Sequence, residues 1–286
     1  MQQRHIGDQA VSAIGLGAMP LSTKDPRPSR EEAIAVVHAA LEAGVTLVDT
    51  ADAYSRDEAE FGHNEELVAE ALASYGPGAD GVLVATKGGH TRSGRSWGLD
   101  GSPDYLRRAC EDSLRRLGVD AIGLYQYHRP DPATPWEDTM GALRELADDG
   151  LVRMVGVSNA DIAQIDAARA IVGDALVSVQ NQFSPGWRHS ADELAHCAAT
   201  GLAFIPWSPF GGVGAAGSLA TSAPAFAEVA AELDVSVHRV ALAWHLAQAD
   251  VVVPIPGASR AASIEDSAAA ASLELTPEQL ARLTTT

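Results

Sequence analysis

The chain has 286 residues, of which 46% are hydrophobic and 20% charged, a balance typical of a globular protein with a sizeable core. Its 38 acidic and 20 basic residues leave a formal net charge of −18, so we discount nucleic acid and anionic membrane surfaces as partners. With two cysteines, no apolar run of signal-peptide length near the start and no stretch of about eighteen apolar residues, we expect neither a disulfide scaffold nor a membrane span, and we predict a cytoplasmic location.

Eight short apolar runs recur along the chain, and segments with the spacing of amphipathic helices separate them. The runs cover residues 13–17, 45–49, 82–86, 122–127, 152–157, 176–180, 202–206 and 251–254. Several are rich in Val, Ile or Leu, as are parallel strands buried on both faces. The alternation predicts a parallel α/β fold in one domain over residues 1–286. Eight strands permit a closed (β/α)8 TIM barrel or an open doubly wound sheet, and the residues at the strand ends favour the barrel.

Helix starts are marked between these runs. Ser29 with Glu32 has the spacing of a capping box, and Ser190 with Glu193 repeats it. The stretch 222–248, between the last two runs, predicts two helices.

Polar or aromatic residues stand at the ends of the apolar runs. They are Asp49, Lys87, His128, Ser158, Asn159, Gln180, Trp207 and Ser208. Active-site groups of a β/α barrel lie at the C-terminal ends of its strands, so we expect these side chains to face one rim.

Three of these residues, together with Tyr54 in the segment after the second run, suit carbonyl reduction. Tyr54 is a phenol whose pKa near 10 an adjacent ammonium, Lys87, would lower, and Asp49 would keep that lysine charged. His128 would orient the carbonyl oxygen, and Tyr54 would protonate it while a hydride reaches the carbon. Each residue alone also suits a structural role, as a cap, a solvated strand end, a buried imidazole or a packed ring. Their joint occurrence favours catalysis.

Several motifs resemble those of the aldo-keto reductase family, in order, from about residue 14 to residue 283. They are DTADAY (49–54), GHNEELVAEAL (62–72), TKGG around Lys87, YQYHRPD around His128, GVSN (156–159), VQNQFSP (179–185), WSPFGG (207–212) and IPGAS (255–259). The resemblance implies a catalytic tetrad of Asp49, Tyr54, Lys87 and His128, with Tyr54 as general acid and NADPH as cofactor.

The resemblance also implies cofactor contacts. Ser158, Asn159 and Gln180 would bind the nicotinamide carboxamide, and Trp207 would stack on the ring where the family often has tyrosine. Along the pyrophosphate would lie Ser208, Phe210 and Gly212. The stretch 211–217 also matches G-x-G-x-x-G, but its late position and the lack of an acidic residue after a following strand argue against a Rossmann fold.

The adenosine end departs from the family's pattern. Many NADPH-preferring members have a lysine, an arginine and a Glu-Asn pair in and after the loop that here contains Ser259. At those positions this chain has Gly257, Ser263, Asp266 and Ser267. Arg260 is the nearest cation, and it suits either a 2′-phosphate contact or a solvated helix start. Asp266 would be mildly unfavourable to a phosphate. The family's habits predict NADPH, and NADH stays open.

Met19 and Trp97 are the candidate substrate-pocket residues, by position. We expect small or (hetero)aromatic aldehydes, pyridoxal-like ones included, as substrates. Two other interpretations are a non-catalytic NADPH-binding regulatory subunit and a lyase that forms a Schiff base through Lys87. No H-E-x-x-H or C-x-x-C motif occurs, so we predict no metal site. The sequence does not fix the oligomeric state.

Overall fold

A computed structural model describes residues 1–212 and 214–284. The strands are β1 Gln3–Ile6, β2 Gln9–Ser12, β3 Leu16–Gly17, β4 Leu47–Asp49, β5 Leu83–Gly88, β6 His90–Ser93, β7 Ser96–Leu99, β8 Ile122–Tyr127, β9 Val152–Ser158, β10 Leu176–Gln180 and β11 Ala203–Phe204. The α-helices are α1 Pro20–Thr23, α2 Arg30–Glu42, α3 His63–Tyr75, α4 Pro103–Leu117, α5 Trp136–Asp148, α6 Ile162–Val172, α7 Ala191–Thr200, α8 Leu219–Ser222, α9 Pro224–Leu233, α10 Val237–Leu246, α11 Ala261–Ala269 and α12 Pro277–Thr284.

Seven strands form one parallel sheet in the order β3-β4-β5-β8-β9-β10-β11. The segment after α10 joins its two edges, since Val252 bridges to Phe204 and Gly257 bridges to Gly17, both in parallel. The seven strands and this segment, residues 252–257, therefore close into a barrel with eight members. The predicted (β/α)8 TIM barrel is confirmed.

The eighth member of the barrel, residues 252–257, pairs with each edge strand through a single bridge because prolines interrupt it. The N–H groups of Gly15 and Gly17 donate to the carbonyl oxygens of Pro254 and Pro256, at 2.9 and 3.0 Å. The two prolines have no N–H to return, so a regular ladder does not form. Gly17 also permits the close approach, because a Cβ there would lie 2.8 Å from the carbonyl oxygen of residue 255.

The hairpin β1–β2, which the periodicity did not predict, covers the N-terminal end of the barrel. Its Ile6 and Val11 are buried in one cluster with strand residues such as Leu47, Leu83 and Leu124. Because this apolar hairpin covers the N-terminal end, the C-terminal rim is the polar end of the barrel.

The helix predictions are confirmed in part. The capping box of Ser29 and Glu32 is formed at the start of α2, and α9 and α10 are the two helices predicted within 222–248. The prediction of a capping box at Ser190 is wrong. Its backbone, at φ −93° and ψ 24°, is not extended, and its side chain makes no capping bond.

In the part of the chain that the structure describes, no helix is both long and apolar enough to cross a bilayer. Among the same residues, no cluster of three or more His, Cys, Asp or Glu side chains is placed to hold a metal ion. The single domain over 1–286 stays a prediction, and its last two residues lie outside the described range.

Candidate active site

Three of the four predicted catalytic residues meet at the C-terminal rim. Asp49 ends β4, Lys87 is the penultimate residue of β5, and Tyr54 lies on the loop after β4. The Nζ of Lys87 donates to Asp49 Oδ1 at 2.6 Å, to the carbonyl oxygen of Thr50 at 2.8 Å and to the Tyr54 hydroxyl at 3.2 Å. An ammonium has three N–H groups, so this fully buried lysine has a partner for each.

The second oxygen of Asp49 accepts from two glutamines. Gln180 Nε2 lies 2.8 Å away and Gln126 Nε2 lies 3.3 Å away. Gln126 was missed in the sequence, although a signal exists: it stands two residues before His128, and alternate residues of a strand share a face. The two amides hold the carboxylate toward Lys87.

His128 follows β8 and makes an edge-on ring contact with Tyr54, with centroids 5.5 Å apart. Burial, reinforced by Lys87, His90 and Arg129, holds the pKa of His128 well below its usual value. The imidazole is therefore neutral at physiological pH, and its Nδ1 is buried without a hydrogen-bond partner.

The pKa of Tyr54 differs from the prediction that the adjacent Lys87 would lower it. Burial raises the pKa of Tyr54 above 10 even though Lys87 opposes the shift, so the phenol holds its proton at neutral pH. Burial alone would lower the pKa of Lys87, but Asp49 and Tyr54 outweigh it and raise it. The resting site is a phenol beside an ammonium and a carboxylate.

The three residues predicted to bind a carboxamide lie together on the ends of β9 and β10. Ser158 Oγ donates to the Gln180 carbonyl oxygen at 2.6 Å. Asn159 Nδ2 donates to the His128 carbonyl oxygen and to Ser158 Oγ, both at 3.0 Å. These bonds fix the side chains before any ligand binds. The side-chain N–H of Gln180, however, is turned to Asp49.

Backbone strain marks two predicted cofactor residues. Among the described non-glycine residues, only Asn159, Ser208 and Asp234 have positive φ, at 59°, 50° and 53°. Asp234 caps the C-terminus of α9, where that conformation is ordinary. Strained backbone of this kind is concentrated at functional sites, which supports a ligand role for the other two.

The loop after β11 fits a large anionic cofactor. Trp207 is half-buried, and its indole Nε1 is buried without a partner. Phe210 packs edge-on against His238, with centroids 4.9 Å apart. Gly212 has φ 113°, and apart from its chain neighbours no described residue has an atom within 4 Å of where its Cβ would be, so a ligand can approach the backbone there.

A cation that the sequence did not single out, Lys24, lies at the predicted adenosine end. Lys24 Nζ donates to Ser259 Oγ at 2.9 Å and so joins the loop before α2 to the loop before α11. Gly257 and Arg260 are exposed beside it. Of the other predicted contacts on α11, Ser263 is half-buried and Ser267 is buried.

The expectation that Asp266 disfavours a phosphate needs correction. Its Oδ1 accepts from Arg239 Nη2 at 2.6 Å and from Arg239 Nε at 3.1 Å, and Ser236 donates to Oδ2. The bidentate ion pair neutralises the carboxylate locally.

The candidate substrate residues lie on separate loops. Met19 is half-buried at the N-cap of α1. Trp97 is on β7, in the antiparallel hairpin β6–β7, and is 44% exposed. Its ring contacts His90 edge-on at 5.2 Å and covers the guanidinium of Arg92 at 4.1 Å.

A second acid near the catalytic loop is buried without a partner. Asp52 is fully buried, and among the described residues neither of its oxygens has a partner with good hydrogen-bond geometry. Glu65, also fully buried, accepts from Arg116 at 2.8 Å and from Thr86 at 2.6 Å. Burial raises the pKa of Asp52 well above its usual value, Glu65 adds to this, and Arg116 only partly opposes it.

We therefore expect Asp52→Asn to stabilise the protein near neutral pH, because the substitution removes the charge of a carboxylate whose pKa burial raises. An acid whose pKa is raised by folding costs stability above its unfolded pKa of about 3.9, and the cost disappears as the pH falls to that value. Urea unfolding at pH about 8 and about 4.5 measures the difference, which should shrink at the lower pH. Asp49→Asn, which leaves Lys87 without its carboxylate, should instead destabilise. A less stable Asp52→Asn protein at pH about 8 would contradict this account.

Comparison with known proteins gives one consistent result. The model of the aldo/keto reductase family matches residues 13–286. An uncharacterized oxidoreductase of Schizosaccharomyces pombe is 36% identical over 282 residues, which cover 97% of this chain and 87% of that protein. A probable aldo-keto reductase of Glycine max is 31% identical, over 94% of this chain and 84% of its own length.

Solved structures agree. An aldo/keto reductase from Klebsiella pneumoniae in complex with NADP and acetate has a TM-score of 0.83 and 26% identity, with 99% of this chain and 94% of that chain covered. A glycerol dehydrogenase from Gluconobacter oxydans has a TM-score of 0.84 at the same identity and coverage. By the family model and by relatives of this identity and coverage, the chain belongs to the aldo/keto reductase family.

Proposed function

We propose that the protein is an NADPH-dependent reductase of aldehydes and ketones in which Tyr54 is the general acid. The observation that carries the proposal is the contact of one buried ammonium, Lys87 Nζ, with both the Asp49 carboxylate and the Tyr54 hydroxyl. A phenol gives up its proton more readily when a fixed cation stabilises the phenolate.

A bound nicotinamide cofactor supplies the hydride that reduces the carbonyl carbon. Tyr54 Oη gives its proton to the carbonyl oxygen, and Lys87 stabilises the phenolate that is left. Asp49 keeps Lys87 charged and in place. The neutral His128 stands beside Tyr54, and its imidazole would orient the same carbonyl oxygen by hydrogen bonding. The same groups serve alcohol oxidation, with Tyr54 then accepting the proton.

The cofactor would be held along the rim from β9 to α11. Ser158, Asn159 and Gln180 would bind the carboxamide, with Gln180 using its side-chain oxygen because its nitrogen is engaged with Asp49. Trp207 would stack on the nicotinamide, and the pyrophosphate would lie along the backbone of Ser208, Phe210 and Gly212. The binding of NADP by the Klebsiella pneumoniae relative supports this choice of cofactor.

We expect Lys24 and Arg260 to select NADPH over NADH. A charge-assisted bond to the 2′-phosphate changes affinity roughly tenfold or more, so Lys24→Ala and Arg260→Ala should each raise the KM for NADPH by that factor and leave the KM for NADH nearly constant. Arg153→Ala is the control, because it removes one exposed arginine from the start of β9, at the opposite end of the barrel. An NADPH-to-NADH ratio that neither variant changes would contradict the assignment.

The substrates would be small or (hetero)aromatic aldehydes, pyridoxal-like ones included. The test is consumption of NADPH and of NADH with a panel of such aldehydes. Tight NADPH binding without any reduction would favour a regulatory subunit instead. A Schiff-base lyase is disfavoured because Lys87 is charged, fully buried and bonded through all three N–H groups, whereas an amine nucleophile needs a free lone pair.

A further inference from the structure

Three arginines around the open side of the site form no ion pair. Arg56 follows Tyr54, Arg92 lies on β6, and Arg129 follows His128. Within the described residues none of them has a carboxylate oxygen within ion-pair distance, although acidic residues outnumber basic ones by 38 to 20. In so acidic a protein, three unpaired arginines near one site give it a local positive charge that suits a ligand with negative charge.

Arg92 is the most constrained of the three. It is 8% exposed, and of its guanidinium nitrogens only Nη2 has a partner, the Arg56 carbonyl oxygen at 2.7 Å. Its Nε and Nη1 are buried and have no hydrogen-bond partner among the residues that the structure describes. Asp57 acts on Arg92 electrostatically but uses its side chain to accept from the Ala59 N–H. Buried donors are almost always satisfied, so two unused nitrogens on one guanidinium call for an acceptor.

Ring contacts connect Arg92 to the reacting groups. The guanidinium lies 4.1 Å from the Trp97 ring, Trp97 contacts His90 at 5.2 Å, and His90 contacts His128 at 4.3 Å. His128 in turn contacts Tyr54. Arg92 is therefore linked to the Tyr54 ring through three successive side chains, Trp97, His90 and His128. Trp97, which covers Arg92, is 44% exposed, so the outer part of this cover faces solvent.

We propose that the substrate is a carbonyl compound that carries an oxyanion at the end away from the carbonyl, and that Arg92 binds this group. The proposal rests on the proposed reductase function and specifies its substrate class. Arginine suits the task because its planar fork matches a carboxylate or a phosphate with two parallel N–H bonds. Trp97 and His90, between the two ends, suit a flat or aromatic body. Arg129, which also acts electrostatically on His90, adds to the attraction at the mouth.

The test compares two aldehydes of similar reactivity, 4-carboxybenzaldehyde and its methyl ester, with 4-formylphenyl phosphate as a second anion. For the wild type we expect kcat/KM to be roughly 10- to 100-fold higher for at least one anion than for the ester. Arg92→Met keeps the apolar length against Trp97 and should bring this ratio near one, mainly through KM. Arg92→Lys should restore part of it. Arg95→Met removes the same charge from the turn of the same hairpin and should leave the ratio as in the wild type.

A binding measurement separates the two proposals. Calorimetric titration with 4-(hydroxymethyl)benzoate, in the presence of NADP, should show binding to the wild type and at least about tenfold weaker binding to Arg92→Met. That result supports the anion site even if no aldehyde is reduced, in which case only the reductase proposal fails. Equal binding to both proteins, or none to the wild type, overturns the anion site, and turnover of the ester would then still uphold the reductase.

Discussion

Tyr54→Phe is expected to lose carbonyl reduction by a factor of about 10² to 10⁴, the range that a positioned general acid contributes. The phenol is the only protonated oxygen that the structure places against Lys87, and the described residues offer the carbonyl no other acid with a stabilised conjugate base there. The measurement is kcat with a reducible aldehyde under saturating cofactor. Fluorescence titration with NADPH checks that the cofactor still binds.

Tyr125→Phe is the matched control for that experiment. Tyr125 is another buried tyrosine of the barrel wall, but its hydroxyl has no hydrogen-bond partner among the described residues and lies against Gly88 on the helix side of the sheet. Removing it should leave the rate within about threefold of the wild type, because no charge is involved. If Tyr54→Phe keeps more than about a tenth of the rate, Tyr54 is not the acid.

Lys87→Met is expected to lower both activity and stability. The variant leaves the Asp49 carboxylate buried without its cation, and breaking one partner of a buried pair costs about 3 to 5 kcal/mol. Reduction should fall as well, since nothing then stabilises the Tyr54 phenolate. Urea unfolding monitored by circular dichroism gives the free energy of unfolding, and an aldehyde assay on the folded fraction gives the rate.

The double variant Asp49→Asn/Lys87→Met separates charge from packing. It removes the orphaned carboxylate, so it should be more stable than Lys87→Met alone while reduction stays lost. A loss of less than about 1 kcal/mol in Lys87→Met, or a double variant that is less stable still, would show that the buried pair does not behave as an isolated ion pair.

The strands of the barrel could be predicted because their signal is local. Runs such as 122–127 and 176–180 are continuous and apolar, and the structure places β8 and β10 there. The eighth run, 251–254, was predicted in the same way, but its irregular pairing was not. The run is apolar, but Pro254 and Pro256 reduce it to single bridges, and its pairing with Gly17 joins the two ends of the chain.

The sequence predicted where the site residues lie in the barrel, but not which groups they bond to. Strand ends located Asp49, Lys87 and His128 at one rim because parallel strands all end on the same side. The bond from Gln180 to Asp49 spans 131 residues, and only three-dimensional packing determines it. The same holds for the Tyr54 pKa, since burial, which no local pattern reports, outweighs the neighbouring lysine.

Hydride transfer to a carbonyl carbon is tested most directly with cofactor deuterated at C4 of the nicotinamide. The protein is incubated with labelled NADPH, or labelled NADH, and an aldehyde that it consumes, and the alcohol is analysed by mass spectrometry and NMR. We predict one deuterium on the carbinol carbon, from one face of the nicotinamide only, and a solvent proton on the oxygen. The assignment of this barrel as a carbonyl reductase would be contradicted if the alcohol carries no deuterium whichever face of the nicotinamide is labelled. Cofactor oxidation without any alcohol would contradict it as well.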